Sequence, residues 1–317
     1  MSEGPVVVGT DGSAGAARAV LWAAQEAALR HQPLHIVCAV DLDLSERLSA
    51  DTARRVREAA RSLLGEAAAA ASDRAPGLAV STEVGREPAA DSLLRAAAST
   101  APRAEGVEAP AVTIVVGSRG LGGFSTLLLG SVGLTVAGHA GCPVVVVRGT
   151  ERPPSGAVVV GVRDEEDLEA VRFAGETARR RKASLRLLST WTYLQYVGSM
   201  APMADVVRVA VEAEAAASTR MLGSVREEFP DLEVSEEVVR VPSPAGELVA
   251  ASLHADLVVV GARRPAHHVG RALGRVTHAV LQHAHCPVAV VPRALSSHVA
   301  ESSRLPIAGN RPVAVVP

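Results

Sequence analysis

The sequence predicts an α/β fold of two Rossmann-like, doubly wound domains, each a five-stranded parallel sheet flanked by helices. Short Val/Ile runs alternate with helical segments, which is typical of parallel strands covered on both faces. The pattern also occurs twice, because "GPVVVGTDGS" is answered by "GAVVVGVRDE" and "HAGCPVVVVR" by "HAHCPVAVVP". A chain of 317 residues suits about two domains of ordinary size.

The spacing of the two copies sets the domain boundaries. Gly9 matches Gly161 at an offset of 152, whereas Gly117 matches Gly261 at an offset of 144. The first copy therefore carries eight extra residues before Gly117, and we place them in the Pro/Gly/Glu-rich segment Thr100–Pro110. We divide the chain into a first domain (1–149), a Pro-rich linker (150–156), a second domain (157–293) and a C-terminal tail (294–317).

The elements of the first domain alternate strictly between strand and helix. They are predicted as strand Val6–Gly9, helix Ser13–Arg30, strand Leu34–Val40, helix Ser45–Ser72, strand Leu78–Glu83, helix Pro88–Ala98, strand Val112–Val116, helix Gly130–Gly138 and strand Val144–Val147. Ser13 is the expected N-cap of the first helix.

Ser125–Val147 lacks charged residues over a length that could span a bilayer. Its glycines and Pro143 instead predict a helix, a turn and a buried strand.

Composition excludes several classes of function. The net charge of −2 and aromatic content of 2% argue against a basic nucleic-acid surface or a base-stacking platform. Three cysteines do not form a disulfide framework, and the N-terminus lacks the features of a signal peptide. We therefore expect a cytoplasmic protein that binds neither nucleic acid nor a membrane.

The stretch "VVGSRGLGGFSTLLLGSV" follows the fourth strand and has the spacing G-x2-G-x9-G-S. Gly117 and Gly120 allow a loop whose inward N–H groups form a nest for anions. Gly130 and Ser131 then open a helix, whose N-terminus offers free donors and a partial positive charge. Arg119 adds a cation. The segment predicts a phosphate site without a Walker lysine, since no G-x4-G-K-[ST] motif is present.

With Asp11 after the first strand and "GHAGCPVVVVR" at the end of the unit, this motif resembles the universal stress protein family, present here as a tandem pair over 5–148 and 156–293. The resemblance implies ATP binding in the first domain, with Asp11 near the adenosine and the backbone of Ala39 near the adenine. The implied nucleotide site comprises Thr10, Asp11, Ala39, Gly117, Arg119, Gly120, Gly130, Ser131 and Val132. It also implies dimeric association, often through the last strand, either between the two halves of one chain or between two chains.

The second copy departs from the motif. Its counterparts of Asp11, Gly120 and Ser131 are the arginines Arg163, Arg264 and Arg275. A side chain at the position of Gly120 restricts the loop, and Pro265 removes an N–H donor. We expect a degraded site, so that the second domain is either a scaffold that completes an intrachain dimer or a site for a different anion.

These features favour a nucleotide-dependent stress regulator that binds ATP, with or without Mg²⁺, and an unidentified protein partner. We assign no catalytic residue, because no nucleophile lies beside an oriented base. The alternative is a slow ATPase or an autophosphorylating enzyme that uses Ser131 or Ser118. We assign no metal ligand, because the dense histidines between His267 and His285 lack a metal-binding spacing.

Overall fold

The computed structural model describes residues 4–40, 49–99, 112–118, 120, 129–150, 152–191, 219–262 and 273–292. The first half contains β1 (Val6–Gly9), α1 (Ala14–Arg30), β2 (Leu34–Ala39), α2 (Ala50–Arg74), β3 (Val80–Gly85), α3 (Ala89–Ala98), β4 (Thr113–Gly117), α4 (Ser131–His139) and β5 (Val144–Val147). The second half contains β6 (Ala157–Val162), a 3-10 turn (Glu165–Asp167), α5 (Leu168–Arg181), β7 (Ser184–Trp191), α6 (219–228), β8 (Val234–Arg240), α7 (Pro244–Ala251), a 3-10 turn (Ser252–His254), β9 (Leu257–Ala262), α8 (Arg275–His283) and β10 (Val288–Pro292).

The ten described strands form one continuous sheet in the order β3-β2-β1-β4-β5-β10-β9-β6-β7-β8. Each half follows the strand order of a doubly wound fold, and its strands are parallel. The two halves meet at β5 and β10, which are antiparallel, with Val145 opposite Ala289. The last strands of the two halves therefore pair with each other within one chain, and the predicted α/β fold is confirmed.

Helices cover both faces of this sheet. One face packs against α1, α2, α5 and α6, and the other against α3, α4, α7 and α8. Side chains alternate along each strand, so that Val6 and Val8 face the first layer and Val7 faces the second. All three are fully buried, which explains the continuous valine runs.

Several element boundaries differ from the prediction by one or two residues, and the start of β3 is an example with a clear cause. β3 begins at Val80 rather than Leu78, because Leu78 donates its N–H to the Ala75 carbonyl in the turn that ends α2. Gly77 supports that turn with a φ of +84°. α2 is described from Ala50 onward, and residues 41–48, where the prediction starts the helix, lie outside the described ranges, as do Thr100–Pro110 and the tail.

The apolar segment after Ser125 is described from residue 129 onward and forms α4 and β5. No helix in the described part of the chain combines the length and the apolar character needed to cross a membrane.

Candidate functional site

The predicted site begins in the turn between β1 and α1. Thr10 is buried, and its N–H donates to the Val37 carbonyl of β2 at 2.9 Å. The Oδ1 atom of Asp11 accepts from the Ser13 N–H at 3.0 Å, and Ser13 Oγ accepts from Ala16 at 3.2 Å, which confirms Ser13 as the N-cap. Gly12 has a φ of +82°, a conformation that favours glycine. The turn thus holds Asp11 half-buried at the carboxyl end of β1.

Gly120 lies against the carboxylate of Asp11. A Cβ atom added at Gly120 would stand 2.4 Å from Asp11 Oδ2, which is closer than any unbonded carbon and oxygen can approach. The structure therefore brings together two predicted site residues that are far apart in the sequence. The bare backbone of Gly120 leaves the space beside Asp11 open.

Gly117, the last residue of β4, touches the start of α1. A Cβ atom at this position would stand 2.8 Å from the Gly15 carbonyl carbon and 3.0 Å from the Ala16 nitrogen. The glycine therefore allows a strand and a helix N-terminus to approach closely. Sequence reasoning missed Gly15, although a glycine in the first turn of a helix signals close backbone packing.

The loop after β4 is fixed at both ends by main-chain hydrogen bonds. Ser118 donates its N–H to Val147 and accepts from the Gly130 N–H, both at 2.9 Å. Gly130 is the N-cap of α4, and its lack of a side chain leaves the first-turn N–H groups of the helix uncapped. Ser131 is exposed at the first position of α4 and Val132 is half-buried at the second. This helix N-terminus can receive an anion.

Ala39 ends β2, on the side of β1 away from β4. It is half-buried and pairs with Gly85 of β3. Burial raises the pKa of the neighbouring Cys38 thiol, and the negative charge of Asp11 raises it further. The end of β2 therefore lies within the electrostatic field of Asp11.

These contacts bring most of the predicted site to one edge of the sheet. Thr10, Asp11, Gly117 and Gly120 are linked by direct contacts around the start of α1, and Gly130 joins them through Ser118. Ala39 lies one strand away. Arg119 is outside the described residues.

The corresponding place in the second half is built differently. Arg163, the counterpart of Asp11, donates to the carboxylate of the adjacent Asp164 at 2.6 and 2.8 Å. Its main-chain N–H donates to Asp167 at 3.0 Å. Arg275 starts α8 and is exposed, whereas Arg264 lies outside the described residues. A cation held by its own acidic neighbour thus replaces the carboxylate of the first half.

Known proteins match the chain over both halves. The model of the Universal stress protein family matches residues 4–148 and again residues 155–292. A universal stress protein of Mycobacterium tuberculosis is 33% identical over 301 residues, covering 90% of this chain and 96% of the relative. One of Mycolicibacterium smegmatis is 31% identical over 305 residues, covering 90% and 96%.

The fold also has a solved counterpart. The crystal structure of a universal stress protein from Archaeoglobus fulgidus has a TM-score of 0.66 and 16% identity, covering 92% of this chain and 98% of that one. At this identity the likeness concerns the fold alone. Together with the two family matches and the full-length relatives, it leads to one conclusion: the chain belongs to the universal stress protein family and carries the family's domain twice.

Proposed function

We propose that the first half binds ATP at the edge where β1, β2 and β4 end. The observation that carries the proposal is the contact between Gly120 and Asp11. A side chain at Gly120 would displace the carboxylate, so the glycine keeps the space beside Asp11 free for a ligand. Asp11 would hold the ribose hydroxyl groups, and the backbone of Ala39 would approach the adenine. The phosphates would lie between the loop and the N-terminus of α4, where uncapped N–H groups favour negative charge.

The proposed site keeps the full predicted set, namely Thr10, Asp11, Ala39, Gly117, Arg119, Gly120, Gly130, Ser131 and Val132. The ATP would bind with or without Mg²⁺ as the counter-ion of its phosphates. The proposed units remain 1–149, a linker over 150–156, 157–293 and a tail over 294–317. We propose that the protein acts in the cytoplasm as a stress regulator whose ATP occupancy changes its association with a protein partner.

The second half is proposed to serve as the scaffold of an intrachain dimer. The ion pair between Arg163 and Asp164 supports this role, because a guanidinium that is already paired offers less charge to an incoming anion. The sheet shared across β5 and β10 supports it further.

Binding without catalysis is the preferred function, and autophosphorylation is the alternative. Ser118 is only 8% exposed and its main chain is held at both ends, so it is poorly placed to accept a phosphoryl group. Ser131 is exposed at the start of α4 and is the better acceptor. Labelled ATP with Mg²⁺ would transfer its label to the wild-type chain but not to Ser131→Ala if the alternative holds.

The test of ATP binding is the substitution Gly120→Arg, which gives the first half the residue type that the second half has at the equivalent position, Arg264. The new side chain would displace the Asp11 carboxylate and fill the space beside it, so we expect calorimetry to show the loss of one ATP site per chain. Gly65→Arg is the matched control, because Gly65 is exposed on α2 and an added Cβ meets nothing within 4 Å. An ATP affinity and stoichiometry that Gly120→Arg leaves unchanged would contradict the proposal.

A further inference from the structure

A cavity lies between the two halves, apart from the proposed nucleotide site of the first half, which we call the loop site. It has a volume of about 670 Å³ and sits on the sheet face covered by α1 and α5. Its walls come from α1, the end of α2, the end of β5, the linker, the end of α5 and the segments before β9 and β10. None of the predicted nucleotide-site residues that the structure describes lines it. This volume is within the range of about 300–1,000 Å³ that is usual for small-molecule sites.

The lining of this interdomain cavity is strongly basic. Seven cationic side chains reach it from both halves: Arg18, Arg74, Arg148, Arg152, Arg180, Arg181 and Lys182. The lining includes a single carboxylate among the described residues, Asp256. That carboxylate accepts three hydrogen bonds from Ser155 and Gly156, which fixes it to the linker. The described lining residues therefore carry a large excess of positive charge, although the whole chain has a net charge of −2.

Much of this charge is not neutralised by carboxylates. Arg152 donates to the main-chain carbonyls of Ser252, Leu253 and His285 at 2.9 to 3.4 Å. Across the described part of the chain, the side chains of Arg18 and Lys182 make no hydrogen bond or ion pair. Both are exposed to the cavity opening. Carbonyl partners hold a guanidinium in place but leave its charge available to an anion.

At least two of the seven cations, Arg180 and Arg181, have acidic partners. Arg180 pairs with Glu176 at 2.7 Å and Arg181 pairs with Glu26 at 2.5 Å. Even so, the Nε atom of Arg181 and an Nη atom of Arg180 are buried and make no hydrogen bond in the structure. Burying donors of this kind costs free energy unless a hydrogen-bond acceptor binds to them.

We propose that this interdomain cavity binds an anion that carries several phosphate groups. A single phosphate would meet only part of the charge, whereas a phosphate chain can reach cations on several walls at once. Guanidinium groups suit this ligand because they donate paired hydrogen bonds to phosphate oxygens. The proposal is independent of ATP binding at the loop, because the two sites have no described residue in common.

Binding in this cavity would hold the two halves together. Arg18 belongs to the first half and Lys182 to the second, so one ligand would neutralise charges on both. A ligand that binds only the assembled halves stabilises the assembly by mass action. We therefore expect inorganic triphosphate to raise the melting temperature of the whole chain.

The test measures inorganic triphosphate binding by calorimetry in three variants of the full chain. Arg18→Glu reverses an exposed charge on the cavity wall, and we expect affinity to fall about tenfold or more, since charge-assisted hydrogen bonds are the strong ones. Lys182→Gln removes the charge that the second half contributes at the end of α5 and should also weaken binding. Arg57→Glu is the control, because Arg57 is exposed on α2 and does not line the cavity.

The variant Gly120→Arg separates this cavity from the loop site. Triphosphate binding that survives Gly120→Arg but is lost in Arg18→Glu supports the inference. If ATP also binds to the Gly120→Arg chain and is lost when Arg18→Glu is added, the occupant is a nucleoside triphosphate. If triphosphate but not ATP binds to the Gly120→Arg chain and is lost when Arg18→Glu is added, the occupant is a bare phosphate chain.

Three results would overturn the inference. The first is the absence of triphosphate binding to the wild-type chain. The second is loss of binding in Gly120→Arg, which would assign the anion to the loop site and leave the ATP proposal standing. The third is an equal loss in Arg57→Glu and Arg18→Glu, which would indicate unspecific attraction.

Discussion

At the scale of single residues, Glu26 places a carboxylate in the junction between the two halves. Its side chain is 2% exposed and pairs with Arg30 of its own helix and with Arg181 of α5. The guanidinium of Arg181 also stacks over Trp22, 4.9 Å from the ring centre. Burial alone would raise the pKa of Glu26, but the charges and hydrogen bonds of Arg181 and Arg30 outweigh it, so the pKa is lowered. Glu26 therefore stays ionised at neutral pH.

We predict that Glu26→Gln destabilises the protein by about 3–5 kcal/mol, because it leaves two buried guanidinium groups without a carboxylate. The measurement is urea unfolding at neutral pH. Glu58→Gln, at an exposed position on α2, is the control and should change the free energy of unfolding by less than about 0.5 kcal/mol.

The same substitution predicts a pH dependence. A lowered pKa in the folded state gives stability that is fully present above the unfolded pKa, about 4.3 for Glu. This stability is lost as the pH falls through the folded value. The difference between wild type and Glu26→Gln should therefore be constant near neutrality and shrink in acid. A difference that grows as the pH falls would contradict the ion-pair interpretation.

At the scale of elements, two helix glycines have opposite roles. Gly65 is exposed on α2, where an added Cβ meets nothing within 4 Å. Gly175 is buried on α5, where a Cβ would lie 2.7 Å from the ring of Phe229. Phe229 is only 4% exposed, so its ring has little room to move. Helix propensity favours alanine at both positions, but packing opposes it at Gly175.

We predict that Gly65→Ala stabilises the chain by about 0.5–1 kcal/mol and that Gly175→Ala destabilises it by about 1–3 kcal/mol through overpacking. Thermal unfolding of the two variants and of the wild type shows whether each substitution raises or lowers the stability. Adding Phe229→Leu to Gly175→Ala should recover part of the loss. Equal stabilisation by both alanines would show that α5 does not pack against Phe229 as described.

The accuracy of the sequence-based prediction also varies between elements. Buried valine runs identified β1 and β5 to the residue, since only a fully covered strand needs them. β3 is an edge strand with polar residues, so its limits are set by pairing with β2 rather than by composition. A pattern along the chain carries little information about such pairing.

The candidate site shows the same limit. The loop spacing and Asp11 pointed to the edge where β1 and β4 end. The approach of Gly117 to Gly15 was missed, because it depends on how α1 sits against β4. The cations of the interdomain cavity come from separate elements with no shared spacing, so only the assembled fold reveals them.

At the scale of the whole molecule, the two halves are joined by more than the linker. β5 pairs with β10, and Arg148, which follows β5, donates to the carbonyls of Leu281 and Gln282 at the end of α8. Gly149 has a φ of +76°, and a Cβ there would stand 2.5 Å from the His285 carbonyl oxygen. The residues that lead from β5 into the linker therefore pack directly against the second half.

We predict that the halves stay associated after the linker is cut. Residues 152–156 are exposed, so a protease site inserted between Pro153 and Pro154 should be cleaved in the native protein. The nicked protein should elute from a sizing column as one species, because the shared sheet and the buried Glu26 ion pairs remain. Val145→Asp, which buries a charge opposite Ala289, should release the halves, whereas Val56→Asp at an exposed site should not. Separate elution of the unmutated halves would show that the linker, rather than the strand pairing, holds the molecule together.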